Sequence, residues 1–228
     1  GRASHAIAVN GSVPGPLLRL REGQTVRLTV NNRLDEDSSI HWHGLRLPAE
    51  MDGNPMIQGA VYPGDGFVYE FVAQDAGLFW YHPHVEPDEQ MELGLYGPLL
   101  VRAPGEPVVD AERVLVLDDV DLDEDGQVRL TADADDVALG RHGDVILVNG
   151  VERPSLEVAA GTTEMRLDDL QGESRRDGRV ERIAALLENA HPDRGRDPVR
   201  RSDDAESADD LRPRGERIGI DEFHGAIS

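Results

Sequence analysis

The sequence predicts an all-β protein built as a sandwich, and three observations carry that prediction. Apolar and polar residues alternate with period two in short runs, as where Val26, Leu28 and Val30 bracket Arg27 and Thr29. Turns such as "VPGP" and "YPGDG" punctuate these runs. The runs are short and closely spaced, which suits a sandwich or barrel rather than strands alternating with helices.

Taken in order, "AIAVNG" opens the first unit and "LLRLREGQTVRLTVNN" continues it. "GFVYEFVA" and "GLFWYHPH" repeat the alternation, and "LYGPLLVRAP" closes the series. These runs define a first domain over residues 1–104. "APGEP", from Ala103 to Pro107, reads as a linker. "RVLVLDDV", "DVILVNG" and "PSLEVAAGTT" then predict a partial second sandwich over 105–164. The acidic "DLDEDGQVRLTADADDVALGRHG" between them reads as an exposed connection. Its Asp-Glu-Asp-Gly lacks the ligand order and terminal Glu of a calcium loop. Residues 165–228 are crowded with Arg, Asp and Glu, and the expectation there is a charged, disordered or aberrant tail. "VERIAALLENA", Val180 to Ala190, is its one amphipathic helical stretch, with Ile183, Leu186, Leu187 and Ala190 on one face.

Composition narrows the function. The 228 residues carry a formal net charge of −22, which argues against binding nucleic acid through a basic patch. Every basic residue other than histidine is Arg, a bias expected of a GC-rich genome or a salt-adapted surface. No apolar run approaches the length of about 18 residues that a membrane-spanning helix needs. No signal peptide is visible, so the expectation is a mature or truncated form. Cysteine is absent, which removes disulfides, thiolate catalysis and soft sulfur sites for a metal.

The chemistry concentrates in two histidine pairs, His41 and His43 in "IHWHG" and His82 and His84 in "WYHPH". In a strand, residues i and i+2 share a face roughly 6.6 Å apart. Two such strands side by side bring four imidazoles together, a donor set suited to zinc, copper, iron or nickel. The spacing fits two neighbouring ions, each taking one histidine per strand. Surface imidazoles are the plainer alternative. His5, His142, His191 and His224 have no such partner and read as ordinary polar residues.

"NGSVPGPLLRLREGQTVRLTVNN", "SSIHWHGLRLPAEMDGNP", "YPGDGFVYEFVAQDAGLFWYHPH" and "LGLYGPLLV" together resemble the N-terminal cupredoxin domain of multicopper oxidases, in the bacterial copper-resistance and laccase-like branch. The likeness is strong over residues 6–104 and weak through "ILVNGVERPSLEVAAGTTE". It implies a cupredoxin-like Greek-key β-sandwich and copper as cofactor. It also implies oxidation of phenols or metal ions coupled to reduction of O2 to water. By resemblance, His41 would bind the type 2 copper, and His43, His82 and His84 the type 3 pair. Asp52 would assist proton delivery beside them, although an Asp before Gly53 is equally a turn former. Trp42, Trp80 and Tyr81 read as packing around the site.

The resemblance also sets a limit. Family members draw their remaining cluster ligands and a cysteine-ligated type 1 copper from a C-terminal domain, and this sequence has no cysteine. The expectation is a chain that retains the N-terminal half of the copper site and is inactive alone as an oxidase. Association with a partner that supplies the missing ligands is one way the cluster could be completed. The change of character after about Glu164 suggests truncation or a frameshift. Two alternatives are a non-catalytic copper-binding or copper-tolerance module and a metal-free sandwich remnant. The resemblance places the protein in the periplasm or outside the cell.

Overall fold

The computed structural model describes residues 4–156, 163–169 and 217–223. Its first unit is a sandwich of two four-stranded sheets. One sheet contains β1 (Ala8–Val9), β3 (Thr25–Arg33), β5 (Gly66–Val72) and β12 (Arg217–Phe223). The facing sheet is ordered β2 (Leu18–Arg21), β7 (Gly97–Arg102), β6 (Gly77–His82) and β4 (His41–His43).

The period-two reading holds where it was clearest. In β3, Val26, Leu28 and Val30 are buried while Arg27 is exposed. Inward residues from both sheets meet in one core that includes Leu28, Tyr69 and Phe71 from one side and Trp42, Tyr81 and Leu99 from the other. The Trp42 ring lies 5.2 Å from Tyr69 and 5.5 Å from Phe71, so it pins the two sheets together. Tyr81 is also fully buried and donates its hydroxyl hydrogen to the Pro16 carbonyl at 2.9 Å. Its ring occupies the space over Gly97, its partner on β7, where a Cβ would come within 2.2 Å of the phenol oxygen.

Between the linker and Asp169 the described strands form one four-stranded sheet. β8 (Ala111–Val120) pairs with β9 (Val145–Val148) and with β11 (Thr163–Asp169), while β10 (Val151–Glu152) extends the β9 edge. Glu112 on β8 accepts from Arg19, Arg102 and Arg166, so one carboxylate ties β2, β7 and β11 together. The acidic connection is less open than expected. It contains α2 (Ala134–Leu139), and Arg129 joins Asp121 to Asp136 across it. Asp123 is used as a turn former, its Oδ1 accepting the amides of Asp125 and Gln127.

The expected loss of strands after Glu164 does not hold at two places. β11 runs through to Asp169, and β12 lies between β1 and β3 in the first sandwich. "RIGIDEF" alternates in the manner of a strand, but it is embedded in charged sequence whose composition outweighed this local pattern. The amphipathic stretch Val180–Ala190, His191 and His224 lie outside the described residues.

Candidate metal centre

The histidines converge because β4 and β6 are antiparallel neighbours with His41 directly opposite His82. Their ring centroids are 5.1 Å apart, and His43 lies 5.5 Å from His41 and 5.4 Å from His82. One ligand atom from each of the three falls within 4.8 Å of the others. Trp42, between the pair on β4, points into the core as the alternation requires.

His84 is placed differently from the strand reading. β6 ends at His82, and Pro83, which has no amide hydrogen to give a ladder, leads the chain away. His84 still reaches the site: its ring stacks on His41 at 4.1 Å, and its amide donates to Ser39 Oγ at 3.2 Å. Its ring nitrogens do not join the mutual 4.8 Å group. The short helix α1 (Pro87–Gln90) braces this region through buried Gln90, which accepts from Ser38 and donates to the Asp37 carbonyl.

Proton positions follow from the acceptors. His41 Nδ1 faces the Asp52 carbonyl at 2.8 Å, and His82 Nδ1 faces the Pro83 carbonyl at 2.9 Å. A carbonyl oxygen only accepts, so both Nδ1 atoms carry hydrogen. His43 Nδ1 lies 3.2 Å from His82 Nε2, and with His82 neutral it donates to the Nε2 lone pair. Burial, reinforced by the surrounding histidines, pushes the His82 pKa down to about 3. His84 is lowered for the same reasons, burial foremost. His82 is therefore neutral near pH 7, the state in which an imidazole binds a metal.

Asp52 sits at the end of a single 3-10 turn, Ala49–Met51, and contacts His41 twice. Besides its carbonyl, its Oδ1 lies 3.1 Å from His41 Nδ1. Gly53 follows at φ +81°, and a Cβ there would come within 2.3 Å of the Ile40 carbonyl oxygen. The turn is thus pressed against the backbone that enters β4. Trp80, read from the sequence as packing around the site, lines the centre, stacking 4.1 Å from His82 and 5.0 Å from His43. Its place two residues before His82, on the same strand face, is the signal that could have found it.

The multicopper oxidase family profile matches residues 1–106. This region belongs to the multicopper oxidase family. It is an N-terminal cupredoxin domain of the bacterial branch, with copper as the cofactor its relatives imply. Copper resistance protein A of Pseudomonas syringae pv. tomato is 49% identical over 122 residues, covering 52% of this chain and 20% of that protein. Laccase-2 of Cryptococcus neoformans is 39% identical over 156 residues, covering 63% of this chain and 26% of that protein. The crystal structure of a multicopper oxidase from Pseudomonas thermotolerans superimposes with a TM-score of 0.66 at 39% identity, covering 70% of this chain and 40% of that one. The matches therefore span about a fifth to a quarter of the two curated relatives. No helix among the described residues is long and apolar enough to cross a membrane.

The residues of the multicopper oxidase domain fit copper. His41, His43 and His82 each bring one ring nitrogen within 4.8 Å of the others, and a backbone carbonyl holds hydrogen on Nδ1 of two of them.

Proposed function

We propose that this chain binds copper as the N-terminal half of a multicopper oxidase cluster, with His41 serving a type 2 site and His43, His82 and His84 a type 3 pair. The observation that carries the reading is the convergence of His41, His43 and His82 within 4.8 Å, with His84 stacked against them. Copper held there would supply the one-electron chemistry by which such enzymes couple substrate oxidation to reduction of O2 to water. The protein's own part is to orient the rings. The Asp52 and Pro83 carbonyls hold hydrogen on Nδ1 of His41 and His82, so Nε2 is the nitrogen each would offer to copper. The Asp52 carboxylate, beside His41 Nδ1, is placed to hold and pass a proton at the rim of the site.

Two features limit what these 228 residues do alone. They contain no cysteine for a blue copper centre, and four imidazoles leave a three-copper cluster short of ligands. These 228 residues by themselves bind copper without oxidase turnover, and histidines from outside them complete the site. The copper-resistance relatives support a role in copper tolerance, and a location in the periplasm or outside the cell is part of the same proposal.

The test is paramagnetic resonance on the copper-loaded chain, run beside oxygen uptake with a phenol. Nitrogen splitting from imidazole, lost in a His41→Ala, His82→Ala variant and unaccompanied by oxygen uptake, supports the proposal. Sustained oxygen uptake that depends on these histidines overturns the inactive half-site, and a spectrum without imidazole nitrogen overturns copper binding here.

A further inference from the structure

The Tyr69 hydroxyl stands at the meeting point of two short paths to His41. It accepts the amide hydrogen of Ile40, the residue that leads into β4, at 2.9 Å. It also accepts from Gln58 Nε2 at 2.8 Å. Gln58 in turn uses Oε1 to accept the amide hydrogen of Gly53 at 2.9 Å. Gly53 follows Asp52, whose carbonyl fixes the His41 tautomer. One buried phenol therefore holds both the backbone that carries His41 and the turn that orients its ring.

We infer that Gln58 and Tyr69 are positioning residues for His41, acting through the Asp52–Gly53 turn. Neither side chain is among the imidazole donors, and neither was singled out by the histidine pattern. Tyr69 belongs to β5 in the opposite sheet and is fully buried, so its hydroxyl is a fixed post rather than a mobile contact. The Gln58 amide bridges post and turn with both of its polar ends in use, an arrangement that Ala does not reproduce. An ionised glutamate accepts from Gly53 and keeps the phenol contact only in reverse, by accepting the Tyr69 hydroxyl hydrogen. Gly53 lies close to this backbone, because a Cβ there would collide with the Ile40 carbonyl and the His41 amide nitrogen. If the Gln58 bridge opens, the turn can rotate away, and His41 loses the carbonyl that keeps its proton on Nδ1.

The inference rests on reading His41 as a copper ligand, but its test does not depend on copper. Imidazole nitrogen resonances of the 15N-labelled full chain, with His41 assigned from a His41→Ala sample, report the tautomer directly. The wild type should show one tautomer, with hydrogen on Nδ1. Gln58→Ala should give a mixture, with copper affinity lower by about tenfold, as expected for loss of a group that orients a ligand. Gln58→Glu, which can accept the Tyr69 hydroxyl hydrogen, should keep the Nδ1 tautomer. Gln58 is partly exposed, so these variants keep the core intact. Asn32→Ala serves as the control for stability alone. Asn32 is buried and bonds the Glu36 and Val61 carbonyls, away from the turn. An unchanged His41 tautomer in Gln58→Ala, or an equal change in Asn32→Ala, overturns the inference. If the tautomer shifts but no variant binds copper differently from wild type, the brace stands and the copper reading of His41 falls.

Discussion

His41 and His82 face each other across the β4–β6 ladder with ring centroids 5.1 Å apart, each Nδ1 bonded to a backbone carbonyl close in sequence or in the adjoining turn. Strand pairing sets the separation of the rings, and the two carbonyls set which nitrogen of each carries hydrogen. A pair so constrained should act as a unit. Replacing either histidine with alanine should weaken copper binding by more than about tenfold, and the double variant should lose little beyond the worse single change. Competition titration against a chelator of known affinity measures this directly.

Gly97 should resist substitution because the Tyr81 ring fills its Cβ space. Gly97→Ala forces that ring, and with it β6, out of place. A loss of about 1–3 kcal/mol is expected for such overpacking, read as a lower urea midpoint. Because Trp80 and His82 flank Tyr81 on the same strand, its copper affinity should fall as well. A Gly97→Ala chain as stable as wild type contradicts the packing described here.

Stability of the copper-stripped chain should fall as the solution is acidified below about pH 6.5. The His82 pKa is lowered in the folded state, chiefly by burial, from an ordinary 6.5 to about 3. Between those values the unfolded chain binds a proton that the folded chain refuses. Stability therefore rises with pH across this window and is lost as pH falls through it. Urea midpoints at pH 7 and pH 4.5 should differ less in His82→Gln than in wild type. An equal pH dependence in the two chains removes His82 as the cause.

β12 should be separable from the copper centre. It pairs with β3 from Arg27 to Arg33, in the sheet that does not contain the histidines. Deleting residues 217–228 should speed hydrogen exchange in β3 and lower stability, while copper binding persists at wild-type stoichiometry. Exchange in β3 that is indifferent to the deletion contradicts that pairing.

The sequence made β3 and β5 legible because half-buried strands leave a period-two signature, and Val26, Leu28 and Val30 write it plainly. The meeting of the histidine pairs was legible for a related reason, since spacing of two puts both rings on one face. Other features left no local signal. Pro83 ends β6 early and sends His84 round by a different route, which depends on chain direction rather than pattern. β12 was hidden because long-range pairing, not composition, makes it a strand. The Gln58–Tyr69 bridge joins residues 11 apart through a turn whose shape no periodicity records.

The central claim is that these histidines form one copper site, and counting bound metal tests it most directly. The purified full chain would be loaded with copper, dialysed to remove loosely held ions, and assayed for copper per protein beside its His41→Ala, His82→Ala variant. The account predicts stoichiometric copper in the wild type, lost in the variant, with no intense blue absorption because cysteine is absent. Copper retained equally by both chains, or by neither, would contradict it.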